Sequence, residues 1–388
     1  MGMNVIGFFP QIFHPRADLI ILDDVFPYLL SGFRIEEYNR YMQEFSSVKI
    51  YSFSAHFKKY RSEYIKVYPE FSKHVHRGCL EEKYRCSLFY TIFLNNIFHY
   101  LPIIEKQRTP FVFTLYPGGG FQVGNTRSDD MLSTVCGSPY LKKIIVTQRN
   151  TREYLREKRF CPEEKMEFIY GGVLPSDYYR ENELPKKYYK KDKQTFDICF
   201  VANKYIDKGL DKGYDIFIDV AKILAKRTPD IRFHVVGSFD EQEVDVQGVR
   251  DQITFYGLRY KDFFPDFYSH MDIILSPNRP YVLTPGSFDG FPTGSCIEAG
   301  FAGVAVFCSD ELNLNIRLKD EEEIRLIPLD PYRIAEIVLD YYMRPDALYR
   351  LARGCQARFY EIFGVQEQMG RRLNLMSECI NQSKKEEI

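Results

Sequence analysis

The chain has no surplus of either charge: 52 Lys and Arg face 53 Asp and Glu over 388 residues, a formal net charge of −1. Wholesale nucleic-acid binding is therefore not expected, because neutralising a phosphate backbone needs an excess of Lys and Arg on one face. No C-x-x-C pair occurs, and the nine cysteines are scattered and odd in number. That usage fits neither a disulfide framework nor a zinc knuckle, and it suits free thiols in a reducing cytoplasm. Met1 to Pro10 lacks the basic region and long apolar core of a secretory leader, so secretion is not expected. A membrane-spanning helix is not expected either. The most hydrophobic run, Leu88 to Ile104, is broken by Asn95, Asn96, His99 and Pro102. Internal repeats and low-complexity tracts are absent, and only Ser383 to Ile388 has the composition of a disordered tail.

What is present is an α/β alternation long enough for two cores. In the first half, β-rich runs occur at Leu19–Leu22, Val48–Tyr51, Phe111–Leu115, Ile144–Thr147 and Phe168–Tyr170. A polar stretch without apolar periodicity follows, and a second series begins at Asp197–Val201. It continues with Phe233–Val236, Ile253–Tyr256, Ile273–Leu275, Val304–Phe307 and Ile324–Ile327. The division expected is a first Rossmann-like domain over 1–175, a linker over 176–195, a second Rossmann-like domain over 196–355, and C-terminal helices over 356–388 crossing back to the first domain. The helix after Gly213 carries Ile216, Phe217, Val220, Ala221 and Leu224 on one stripe. Another should start at Asp330-Pro331, with an N-cap followed by an N1 proline.

The segment Phe288 to Gly300 is the richest in chemistry. Asp289 and Glu298 flank a turn broken by Gly290, Phe291, Pro292, Thr293 and Gly294 that opens into a small-residue helix. Free N–H groups and the positive end of that helix attract phosphate oxygens, while a carboxylate further along accepts hydrogen bonds from sugar hydroxyls. Upstream stand Asp211-Lys212-Gly213-Tyr214-Asp215 before a helix, His234 to Gly237 and Phe255 to Gly257 closing strands, and Ser276-Pro277-Asn278. In the first half, Gly118, Gly119 and Gly120 follow a strand, where three glycines let backbone approach a ligand closely.

In order and spacing this set resembles the retaining GT-B glycosyltransferases, in particular glycosyltransferase family 4. The resemblance covers chiefly Gly137 to Val173 and Asp197 to Phe363. It implies two Rossmann-like domains facing a cleft, a nucleotide-diphosphate-sugar donor on the second, and a saccharide or lipid-linked saccharide acceptor on the first. No metal and no cofactor beyond the nucleotide-sugar co-substrate is implied. By the same resemblance Lys212 lies against the donor diphosphate, Glu298 holds the ribose, and Asp289 approximates the carboxylate near the sugar. The family usually spaces its two glutamates eight positions apart, whereas Asp289 and Glu298 are nine apart. Asn203 stands where the family usually has an arginine, with Lys204 beside it as a substitute cation. An inverting transferase using His56 or Asp24 as base, and a catalytically silent nucleotide-sugar binder, are the alternatives.

Other groups have plainer expectations. Asp23-Asp24 and Asp129-Asp130 are expected to be solvated loop charges. Cys296 is expected to be a packed thiol, and His56, His74, His76, His99, His234 and His270 to be structural or surface residues. The basic and aromatic segment from His56 to Arg77 fits either a solvated excursion or a peripheral contact with an anionic bilayer at the inner face of the membrane.

Overall fold

In the computed structural model, residues 16–242 and 244–386 are described. The expectation for Met1 to Pro10 lies outside them. Seven parallel strands form the first sheet: β1 (Ala17–Asp23), β2 (Val48–Ser52), β3 (Val75–Arg77), β4 (Cys86–Ile92), β5 (Phe111–Leu115), β6 (Leu141–Val146) and β7 (Met166–Phe168), in the order β3-β2-β1-β4-β5-β6-β7. They alternate with α1 (Gly32–Glu44), α2 (Phe57–Val67), α3 (Leu94–Lys106), α4 (Thr126–Gly137) and α5 (Arg149–Glu157). The region 176–195 contains a short helix, α6 (Ser176–Glu181), and fastens to the second half through Lys193, which lies 2.6 Å from both Asp197 and Asp272.

The second sheet has six strands, β8 (Phe196–Val201), β9 (Ile231–Val236), β10 (Ile253–Gly257), β11 (Ile273–Ser276), β12 (Ala305–Cys308) and β13 (Arg325–Leu326), in the order β10-β9-β8-β11-β12-β13. Its helices are α7 (Tyr214–Ala225), α8 (Phe264–His270), α9 (Gly294–Phe301) and α10 (Pro331–Met343), followed by α11 (Pro345–Phe363) and α12 (Val365–Glu386). The apolar stripe of α7 is buried, and α10 is capped by the Asp330 carboxylate accepting from the Arg333 amide at 2.8 Å. Parallel strands covered on both faces become continuous hydrophobic runs, and β4 is buried at all seven positions.

Two strands, β3 and β4, escape the sequence reading. The apolar run Leu88 to Ile104 is two elements, split at Phe93, whose φ of 70° ends β4 and turns the chain into α3. Ser383 to Glu386, expected to be disordered, belong to α12, where Lys384 pairs with Asp18 at 2.5 Å and Glu386 with Lys142 at 2.9 Å. α12 returns to the first sheet, with Val365, Met369, Leu375, Met376 and Ile380 buried in the core around α1 and β4. It is also anchored electrostatically. Arg372 and Glu37 are both fully buried, Nε to Oε1 3.9 Å, and Tyr116 donates to Glu37 Oε2 at 3.1 Å.

In each sheet the strand order reverses beside the first strand, between β1 and β4 and between β8 and β11. Ligands of open α/β sheets collect outside the carboxyl ends of strands at such points. The two sets of carboxyl ends face each other. Val123 N donates to Gly286 O at 2.9 Å, Gln122 to Thr284 at 2.9 Å, and Lys261 Nζ lies 3.1 Å from the Tyr68 hydroxyl.

Candidate functional site

After β8 the chain enters a tight turn, Asp207–Lys212, in which Lys208 (φ 58°) and Gly209 (φ 55°) are left-handed, and Gly213 (φ 70°) ends it. Gly213 is obligatory here, since a Cβ would stand 2.0 Å from Pro277 O. The turn drives the Lys212 side chain inward until the residue is only 7% exposed. Its ammonium pairs with Asp289, lies 3.7 Å from Asp211 Oδ2, and sits 4.7 Å from the Tyr205 ring centroid. Burial alone would depress the Lys212 pKa, but Asp289 and Tyr205 more than offset it and the value is raised. Lys212 is a charged ammonium held in place.

Arg279, just past β11, braces the turn. Its Nε donates to Leu210 O at 2.7 Å, its amide to Asp211 O at 2.9 Å, and its Nη2 to Asp215 Oδ1 at 2.8 Å. Asn278 donates to Asp289 Oδ2 at 3.0 Å, so one carboxylate oxygen serves both Asn278 and Lys212. Lys212 and the 289–294 bend thus converge through Asp289. Asp289 is thereby turned towards the lysine.

Past the bend, α9 carries Glu298 towards the first domain. Tyr179 of α6 donates to its Oε2 at 3.1 Å, and a Cβ on Gly32, the first residue of α1, would come within 3.9 Å of its Oε1. Desolvation raises its pKa to about 7, with Tyr179 and Lys261 pulling the other way. Within the bend, Phe291 is buried, and Phe288 packs on Phe121 of the first domain with centroids 6.0 Å apart. Gly290, partly exposed, faces the Gln148 amide at the end of β6, where a Cβ would stand 3.3 Å from Nε2. Gln148 is 2% exposed and its Oε1 has no partner among the described residues. Thr293 N-caps α9, and Gly294 opens it.

The other candidates divide. Asn203 is exposed and Lys204 partly so at the end of β8. In the glycine loop only Gly118 faces open space; a Cβ on Gly119 or Gly120 would strike Phe93 or Asn95. Those two glycines serve the packing of the loop on α3. Asp23 overturns its expectation as a solvated charge: it is fully buried and accepts from the Val25 and Phe26 amides, Arg34 and Tyr38. Asp24 beside it stays half exposed, near Asn96 at 2.9 Å. His56 is exposed at the start of α2, against the Tyr60 ring. Arg279, Tyr205, Tyr179 and Gln148 lie outside the residues singled out from the sequence, whereas Asn278 belongs to the Ser276-Pro277-Asn278 segment named there. The strand-end position of Gln148 was the available signal, whereas the contacts of Arg279 and Tyr179 join segments distant in sequence.

Two parallel sheets facing one another across their carboxyl ends, with a final helix returning to the first, define the architecture. The fold is GT-B. A solved GT-B structure, Anabaena HepE in complex with UDP, superposes with a TM-score of 0.68 over 93% of this chain and 100% of its own at 15% identity. A glycosyltransferase from Rickettsia africae gives 0.65 over 94% and 99% at 12% identity. Residues 195–343 match the family model of Glycosyl transferases group 1, a span that contains Lys212, Asp289 and Glu298. Among curated relatives, mannosylfructose-phosphate synthase of Agrobacterium fabrum is 32% identical over 107 residues, 23% of this chain and 24% of its own length. Alpha-D-kanosaminyltransferase of Streptomyces kanamyceticus is 24% identical over 148 residues, 35% and 36% respectively. The chain therefore spans about a quarter and about a third of the length of these two relatives. Among the described residues no helix is long and apolar enough to cross a membrane, and no cluster of His, Cys, Asp and Glu is placed to hold a metal ion.

Proposed function

We propose that this GT-B chain is a glycosyltransferase that moves a sugar from a nucleotide-diphosphate-sugar donor to a hydroxyl acceptor with retention of anomeric configuration. One observation carries the reading: the buried Lys212 ammonium meets the 289–294 bend at the carboxyl edge of the second sheet, one helix turn from Glu298 and opposite the first domain. The family match over 195–343, the UDP held by the Anabaena neighbour and the transferase and synthase names of the curated relatives support it.

In this scheme the donor diphosphate displaces Asp289 from Lys212 and takes the free N–H groups at the start of α9. Departure of the nucleoside diphosphate builds charge on its oxygens, and a fixed, desolvated ammonium stabilises that charge without reorganising. Glu298 accepts from the ribose hydroxyls, Asp289 and Gly290 lie beside the transferred sugar, and Gly118 approaches it from the first domain. The departing phosphate deprotonates the acceptor on the same face, so no enzymic nucleophile is needed. The half-exposed Asp24 at the end of β1 favours one alternative, an inverting enzyme with Asp24 as base.

Incubation with a panel of nucleotide sugars, with and without lipid-linked acceptors, tests the proposal by nucleoside diphosphate release. Anomeric analysis of the product separates retention from inversion. A protein whose melting temperature rises with a donor but which releases no diphosphate would be a silent binder.

A further inference from the structure

A second concavity lies within the first domain, where it wraps the edge of the sheet at β3. It is a groove of about 1770 Å³ between α2, α3 and the 78–85 loop, lined by Ile20, Tyr51 and Ile103 on the α3 side of the sheet and by Val75 on the α2 side. That exceeds the range of about 300–1,000 Å³ that small-molecule sites usually take, so it has room for a chain of several units. Its rim carries Lys49, Lys58, Arg77, Lys83 and Lys106. None of the five forms an ion pair among the described residues. The acids on the rim, Glu81 and Glu82, are exposed and fewer.

Two buried polar atoms inside the groove have no partner among the described residues. The His76 ring packs on Tyr51 with centroids 5.3 Å apart, and its Nε2 is buried without a hydrogen-bond partner. Burial, Lys49 and Arg61 together hold its pKa below the usual histidine value. Gln107 Oε1, at the far end, is likewise buried and unpartnered.

The placement of the cations selects the occupant. Lys58 and Arg77 stand at the carboxyl end of the sheet, since α2 follows β2 and Arg77 ends β3. Lys49, Lys83 and Lys106 stand at the opposite end; α3 leaves the cleft edge at Leu94 and reaches Lys106 about 18 Å away at the usual helical rise. A single-headed amphiphile needs its cations gathered at one end, and a flat bilayer does not enter a recessed groove. Cations spaced along the whole groove fit an extended ligand with repeated negative charge. The wall formed by α2 borders the second domain, since Tyr68, next after that helix, lies 3.1 Å through its hydroxyl from Lys261 Nζ.

We propose that this groove binds an acidic saccharide chain, bearing carboxylates or phosphates on successive sugars, and so presents an anionic acceptor to the cleft. The designation as acceptor rests on the transferase reading above; the binding itself does not. The test is calorimetric titration of the full chain, without donor, with oligogalacturonate of about eight sugars, a neutral malto-oligosaccharide of equal length, a single-stranded oligonucleotide and anionic phosphatidylglycerol vesicles. The acidic saccharide should bind at least about tenfold more tightly than each of the others, and added salt should weaken it. The double variant Lys49→Glu/Arg77→Glu should lose at least about tenfold, about 1.4 kcal/mol. The milder Lys49→Gln/Arg77→Gln pair, checked for an unchanged melting temperature, guards against misfolding. Equal binding of the neutral chain, preference for the oligonucleotide or vesicles, or unaltered affinity in a folded variant would overturn the inference. Acidic-chain binding without turnover of any donor would sustain the groove and remove the transferase reading. Turnover onto a neutral acceptor without acidic-chain binding would do the reverse.

Discussion

Replacing Glu298 by glutamine should stabilise the protein at alkaline pH and leave it unchanged in acid. Desolvation lifts this carboxyl from the 4.5 of a free glutamate to about 7. Because the folded value lies above the unfolded one, the folded chain holds a proton that the unfolded chain loses first as pH rises. Stability is therefore full below pH 4.5 and falls as pH climbs towards about 7. That interval corresponds to about 3 kcal/mol, and solvent reaching the partly exposed side chain trims it to about 2 kcal/mol. Glutamine mimics the protonated form and never ionises. Above the folded pKa the variant should gain that amount, about 4–8 °C in melting midpoint for a domain of this size, and near the unfolded pKa the two proteins should coincide. Donor affinity should behave oppositely: the wild type tightens as Glu298 ionises, and Glu298→Gln binds weakly with no such rise. Melting curves and donor titrations across this pH range check both. A pH-independent difference in stability, or a variant less stable in alkali, would refute the desolvated carboxyl.

Lys212→Ala should lower turnover by at least about tenfold, the usual worth of one transition-state charge contact, and near-normal turnover in a folded variant would remove Lys212 from the mechanism. Gly213→Ala meets both a left-handed φ of 70° and the Pro277 carbonyl at 2.0 Å. It should cost more than about 1 kcal/mol and weaken donor binding, read from urea unfolding and donor titration. Arg372→Met strips the buried Glu37 of its cation and should cost about 3–5 kcal/mol, with limited proteolysis showing early release of α12. Unchanged protection of α12 would show that its apolar contacts suffice.

Most of the architecture was legible because buried parallel strands read as short Val, Ile and Phe runs, and two series of them on either side of a polar stretch leave little choice of fold. The strands that escaped did so for local reasons. β3 has only three residues, and β4 runs into α3 without a polar break, the boundary being a backbone dihedral at Phe93. At the site, Lys212, Asp289 and Glu298 were visible as residue types around glycine turns. The direct pairing of Lys212 with Asp289 was not, because it depends on how deeply the Asp207–Lys212 turn sinks. Asp23 shows the converse failure. Two adjacent aspartates after a strand look solvated, yet the first points inward to cap a turn and hold Arg34 and Tyr38. The cation-rimmed groove is dispersed over five separate segments and has no linear signature beyond its basic, aromatic stretch.

Calorimetric titration of nucleotide-diphosphate sugars into the wild-type protein, Lys212→Ala and Glu298→Ala tests most directly whether Lys212 and Glu298 hold the donor. At least one donor should bind at one site per chain, with affinity reduced in both variants while their folds persist. Full-strength binding in both variants, or a donor located in a structure of the complex away from Lys212 and the 289–294 bend, would contradict it.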